Sequence, residues 1–318
     1  METTTSEPTP LTPSSVAAPS PWEVSCLNCG HPLGGPFCSE CGQRAVPPHP
    51  RVTELAGDAF AEFSGWDGKF SETIQLLVRR PGELTRQFIA GRRVRFISPV
   101  RLYLAMSFIY FVLAGAVGNQ PTRPGEVNLP GIHISATGEE QGKGPVVVSR
   151  AMTAAQSGSL TKAQRDSAMA QVARAPRILK PLLRRGIDDP QGLKRTIVAN
   201  VPRVFFALLP VFAAILALFY RKRHYPEHLY YAIHLHSFAF LALTLVELAT
   251  LSGLQKPSGT IGPIVMIWIA VYNVLALRRV YGGSVKRTLA KCVGIGALYS
   301  LATGLALLVL VFAAALVG

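Results

Sequence analysis

The sequence predicts an all-α membrane protein of about five transmembrane helices with short interfacial helices, preceded by a small four-cysteine ribbon. Three observations predict it. Of the 318 residues 49% are hydrophobic and only 16% charged, against about 25% charged in typical soluble proteins. The apolar residues are gathered into long blocks separated by polar loops, as spans are. Four of the five cysteines fall within one short stretch near the N-terminus. The net charge of +14 would suggest nucleic acid in a soluble protein. Here the basic residues flank the apolar blocks, where anionic lipid headgroups and topology explain them better.

Residues 1–22 are rich in Pro, Ser and Thr and lack the basic n-region and apolar h-region of a secretory signal peptide. They read as a disordered tail, because they bury too little apolar surface to offset ordering entropy.

Residues 23–45 hold the ribbon. From Cys26 to Gln43 the chain reads CLNCGHPLGGPFCSECGQ, a C-x2-C-x8-C-x2-C spacing. Two thiolates separated by two residues can grip one ion from two sides. A glycine after the second cysteine, as at Gly30 and Gly42, lets the backbone curl toward the sulfurs. Two such knuckles facing each other make the closed four-sulfur shell of a structural zinc site with ligands Cys26, Cys29, Cys38 and Cys41. Two disulfides are the alternative, but a reducing cytoplasm disfavours them. A redox C-x-x-C would sit at a strand end of a thioredoxin-like unit, which nothing nearby suggests. An iron–sulfur centre needs the same thiolates, and the knuckle glycines favour zinc over it. His31 is surplus to the shell, and Cys292 reads as a packing residue. No Lys or Arg lies between Cys26 and Cys41, so nucleic acid is an unfavoured partner. A protein partner, or the chain's own membrane-proximal helices, fits the ribbon better.

Residues 52–97 form the basic juxtamembrane segment. Ser71 can cap a helix with Ile74, Leu77 and Val78 on one face, Pro81–Gly82 breaks it, and a second helix from about Glu83 carries Leu84, Phe88 and Ile89. Apolar residues on one side and arginines on the other suit helices lying among anionic headgroups. A solvated basic linker is the plainer alternative.

The CxxCG…FCxxCGQ ribbon, the run RRPGELTRQFIAGRRVRFISPVRLYL and the later YPEHLYYAIHLHSF together resemble a bacterial membrane-protein family catalogued as domain of unknown function 3667. The resemblance covers most of the chain from Cys26 onward, except the first loop. It implies an N-terminal zinc ribbon followed by several membrane helices, and it implies no activity.

The membrane domain, residues 98–318, contains spans at about 99–118, 201–220, 229–252, 261–277 and 292–317, with a long loop at 119–200. Each approaches the roughly 20 helical residues that cross a bilayer core. Arginines crowd the approach to the first span; Arg221, Lys222 and Arg223 occupy the second loop and Arg278, Arg279, Lys286, Arg287 and Lys291 the fourth. Alternation from a cytoplasmic N-terminus puts all these basic loops inside, and the C-terminus outside. That is the expected arrangement in a bacterial inner membrane. The long loop is basic yet falls outside, which its length permits. Its Gly- and Pro-rich first half reads as irregular, and residues 159–172 suit a helix opened by a Ser or Thr cap.

The third span is the most polar, with Glu227, His228, His234, His236 and Glu247 in or beside it. Intramembrane ionisable groups suggest function by default, so Glu227, His234 and His236 are the weak catalytic candidates. At 100° per residue, Glu227 and His234 share a face, whereas His234 and His236 stand about 200° apart and cannot chelate one ion from a regular helix. A site would need help from another span, with Asn273 and Asn200 the few candidates. The plainer alternative is that the histidines hydrogen-bond between helices. No nucleophile elbow, Walker loop or HExxH motif is present. Two functions follow: a non-enzymatic module whose ribbon docks a partner or its own membrane-proximal helices, or a small transporter or membrane-embedded enzyme using the third span.

Overall fold

A computed structural model of the chain describes residues 25–45, 69–118, 126–129, 132–135, 154–155, 158, 160–254 and 261–316. The expected tail at 1–22 lies outside the described residues, as does the stretch 46–68. After the ribbon come α1 (Lys69–Arg79), α2 (Glu83–Ile89) and α3 (Pro99–Gly118). A short hairpin follows, β1 (Glu126–Leu129) and β2 (Ile132–Ser135), and then α4 (Lys162–Arg174) and α5 (Lys180–Asp188). The chain ends with α6 (Pro190–Phe219), α7 (Tyr225–Leu251), α8 (Ile261–Tyr281) and α9 (Val285–Leu316).

The protein is an all-α membrane protein: α3 and α6 to α9 are the five helices long and apolar enough to cross a membrane. The first span has the bounds that hydropathy gives it. The second begins about three turns and the fifth about two turns earlier than expected, at Pro190 and Val285, because a charged first stretch hides the helix from a search for apolar residues. In α6 the start is set by Asp189, whose side chain accepts the Gly192 N–H at 2.8 Å, with Pro190 beginning the helix. At 30 and 32 residues, α6 and α9 are about 45 Å and 48 Å long and outreach a hydrocarbon core of roughly 30 Å.

The loop between the first two spans holds two surprises and one agreement. Its first half is not wholly irregular: β1 and β2 pair antiparallel, with Leu129 opposite Ile132. Alternation in EVNL and IHIS about a Pro-Gly pair was the available signal. The helix expected near 159–172 is α4, opened by a capping box in which Thr161 and Gln164 bond reciprocally. The second surprise is where α5 goes: Arg185 donates to the carbonyl of Ala314. The loop's α5 therefore sits at the C-terminal end of α9. Alternating the spans puts that end opposite the ribbon.

α7 is the hub. It touches α1, α2, α3, α6 and α8, and 56% of its most apolar window is buried, against 11% for α9. Aromatic rings fill the seams: Phe240 lies among Tyr103, Tyr110, Phe111 and Phe205, and Phe238 stacks on Tyr272 at 3.5 Å.

The juxtamembrane segment differs from the sequence expectation in its contacts. Its two helices and the Pro81–Gly82 break are present, with α1 already helical at Ser71 rather than capped there. Their arginines face outward, but their apolar faces pack on the spans and not on lipid. Leu77, Leu84 and Phe88 are essentially fully buried. Tyr272 of α8 donates to the Leu77 carbonyl at 2.8 Å, and Arg279 to that of Pro81 at 2.8 Å. Gly82, with φ 77°, lies so close to α8 that a Cβ there would stand 2.8 Å from the Ala276 carbonyl oxygen.

Candidate metal centre and the polar contacts of the third span

The two knuckles repeat one hydrogen-bond pattern. Cys26 N–H donates to the His31 carbonyl at 2.7 Å and Gly30 N–H to the Cys26 carbonyl at 2.8 Å. In the second knuckle Cys38 N–H donates to the Gln43 carbonyl at 2.8 Å and Gly42 N–H to the Cys38 carbonyl at 2.9 Å. Both glycines have positive φ, 78° and 70°, which is the conformation these tight turns demand.

This folding brings the four sulfurs together, all within 4.8 Å of one another. Cys26 and Cys41 are 3.6 Å apart and Cys29 and Cys38 are 3.5 Å apart, all as free thiols. Tetrahedral zinc–sulfur bonds of about 2.3 Å would require sulfur–sulfur edges of about 3.8 Å. The set fits such a shell with little adjustment and can hold a metal ion, leaving no position for a substrate. The cluster's protons are unevenly held. The N–H of Cys41, then that of Glu40, draws the Cys38 thiol down to about 6. Cys29 is lowered by the N–H of His31, but desolvation and the three neighbouring sulfurs push it up to about 12. Four thiolates this close need a cation between them.

The ribbon is fastened to the chain's own juxtamembrane turn. Gln43 is buried; its Nε2 donates to the Gly91 carbonyl at 2.8 Å, and its Oε1 accepts from the Arg93 N–H at 3.1 Å and the Val94 N–H at 3.4 Å. A carboxamide offers both the donor and the acceptor that this arrangement uses. Beside it, Leu27 lies against Gly91, whose φ is 82° and where a Cβ would stand 2.6 Å from Leu27 Cδ1. Sequence reading missed this clamp. The Gly91 signal was present, a glycine closing α2; nothing in the sequence tied Gln43 to it.

The third-span residues do the opposite of the cysteines: each goes to a different element. His228 Nδ1 meets the Tyr281 hydroxyl of α8 at 2.8 Å. His234 Nδ1 meets Thr85 Oγ1 of α2 at 3.0 Å, with Phe88 against its ring. His236 bonds the Ala232 carbonyl at 2.7 Å and the Tyr299 hydroxyl of α9 at 2.7 Å. Glu227 takes Arg223 at 3.2 Å, one turn away. Asn273 accepts from Tyr231 at 2.7 Å, and Asn200 bonds within α6, so neither candidate completes a site with the histidines. Thr85, Tyr281 and Tyr299 are the partners that sequence could not name.

The hairpin of α1 and α2, clamped between ribbon and spans, lies within the part of the chain that matches a known family. Residues 67–111 match the family described as Protein of unknown function (DUF3667). The DUF3667 match runs through α1, the Pro81–Gly82 turn and α2 into α3, so it contains Gly82, Thr85, Gly91 and the backbone that Gln43 grips. It bears out the sequence resemblance, and the four clustered cysteines and apolar helices fit that description. No curated protein and no solved structure matches the chain.

Proposed function

We propose that this is a non-enzymatic multi-pass protein of the bacterial inner membrane, whose cytoplasmic ribbon holds a structural zinc ion and presents a docking surface to a protein partner. The observation that carries the reading is the Gln43 clamp on Gly91, Arg93 and Val94, beside a closed four-sulfur shell. A ribbon too small to fold alone gains a fixed orientation from such a clamp once metal closes it. Its outward face then carries Phe37, an aromatic side chain left 60% exposed, the residue type that anchors interfaces. The basic second and fourth loops, which share the ribbon's end of the bundle, support the cytoplasmic side. Four thiolates on glycine knuckles support zinc.

Affinity purification in mild detergent tests this, with metal analysis and mass spectrometry of bound proteins. Wild type should carry one zinc per chain and a partner that Phe37→Ala and deletion of residues 1–51 both lose, while the spans still insert. A metal-free ribbon, or identical partners after deletion, would overturn it.

A second reading, a small transporter or membrane-embedded enzyme using Glu227, His234 and His236, has one observation in its favour. Among the described residues, Nε2 of His228 and Nε2 of His234 are buried without a hydrogen-bond partner. If His234→Phe and His236→Phe folded normally but lost a transport or catalytic phenotype, this reading would replace the first.

A further inference from the structure

Where the ribbon rests on the hairpin, a cleft of about 760 Å³ opens between them. Asn28 of the ribbon forms one wall, Gln75 and Arg80 of α1 another, and the stretch after α2 brings Arg92 and Arg95. Leu76, Val94 and Phe96 add an apolar floor. The volume falls in the range of small-molecule sites, roughly 300–1,000 Å³.

The charges within the cleft do not cancel. Glu72 is held by Arg95, with Nε to Oε1 at 2.6 Å. Glu83 is held by Arg86 at 3.3 Å and by Gln87 at 2.7 Å. Among the described residues, the Arg92 side chain reaches only the neutral Gln87, at 3.3 Å. Arg80 has no side-chain bond or ion pair among the described residues. Among the described residues, two guanidiniums therefore line the cleft without a carboxylate of their own, flanked by side-chain amides that can donate. A smaller cleft of about 290 Å³ adjoins it, sharing Glu83, Gln87 and Arg92 and adding Arg86 and Arg223 to the wall.

A guanidinium matches the oxygens of a phosphate in planar, bidentate fashion. The cleft also includes Phe96, three residues before the apolar helix α3 begins at Pro99. We propose that the ribbon–hairpin cleft binds a phosphate-bearing anion through Arg80 and Arg92, with the donor amide of Asn28 closing the ribbon side. The phosphate can come from the headgroup of an acidic phospholipid or from a soluble phosphate ester. The inference rests on the reading that the ribbon docks on the hairpin, since without docking the cleft has no outer wall.

The test uses the full-length, metal-loaded chain in nanodiscs. In one arm, neutral phosphatidylcholine discs are titrated with glycerol 3-phosphate by calorimetry. In the other, discs containing phosphatidylglycerol are analysed by native mass spectrometry for retained lipid. Binding in the first arm assigns a soluble ester, and binding in the second alone assigns a lipid. The double variant Arg80→Gln/Arg92→Gln should weaken binding about tenfold or more, the scale of lost charged hydrogen bonds, with zinc content and melting unchanged. Arg221→Gln/Lys222→Gln removes the same charge from the second loop and should leave binding intact. No binding by wild type in either arm, or equal losses in both double variants, would overturn the proposal. Hydrogen-exchange protection of the Arg93 and Val94 amides reports docking separately. If wild type lacks it, the docking reading fails independently of any binding result.

Discussion

The ribbon and the third span both gather residues that bind metals in other proteins, and they do opposite things with them. Cys26, Cys29, Cys38 and Cys41 converge until every sulfur lies within 4.8 Å of the others. His228, His234 and His236 diverge, to Tyr281 of α8, Thr85 of α2 and Tyr299 of α9. The difference comes from local backbone. A knuckle with a positive-φ glycine reverses the chain and turns both of its thiols inward, whereas a regular helix turns neighbouring side chains by 100° each and disperses them. Convergence builds a closed site. Dispersal builds an adhesive, in which a buried helix bonds to three different neighbours.

The comparison is broken most severely by removing one sulfur. Cys38→Ser should reduce bound zinc from one per chain to almost none and release the ribbon, since small ribbons fold only with their metal. Element analysis and exchange protection at Arg93 would show both losses. Acidification is the graded form of the same experiment. Cys38 is held down to about 6, so in the metal-free ribbon it stays deprotonated above that pH and takes a proton below it. Protons then compete with zinc, and affinity measured against a chelator should fall as the solution is made more acidic.

Next in size is Gly82→Ala, which forces a side chain into positive φ and onto the backbone of Ala276. Backbone strain alone costs of order 1–3 kcal/mol, and the overlap adds to it. The expected result is a lower thermal midpoint in detergent with zinc retained. Gln43→Ala leaves the Gly91 carbonyl and the Arg93 N–H without their partner, costing about 1–3 kcal/mol if they stay buried. It should free the ribbon from the hairpin but keep its metal, which exchange protection and element analysis together would separate. The smallest effect belongs to the histidines. His236→Phe removes a bond between α7 and α9 of a kind that averages about 0.6 kcal/mol in membranes. Melting should shift slightly and zinc not at all.

What the sequence disclosed follows the same division. The knuckles were legible because chelation needs a fixed local spacing, and the first span because its apolar block coincides with its helix. The starts of α6 and α9 were not, since Lys194, Arg195, Lys286 and Arg287 continue the helices as charged extensions. The hairpin's amphipathic faces were legible, but not what they face: Leu77, Leu84 and Phe88 would look the same against lipid or against α7 and α8. Long-range partners such as Gln43 with Gly91, or His236 with Tyr299, leave no mark in a single chain.

Zinc content across three proteins tests the central contrast most directly: wild type, Cys38→Ser, and His234→Phe/His236→Phe, each purified in detergent and analysed for metal per chain. One zinc in wild type and in the histidine variant, with almost none in the cysteine variant, is the predicted result. A metal that persists without Cys38, or disappears with the histidines, would contradict it.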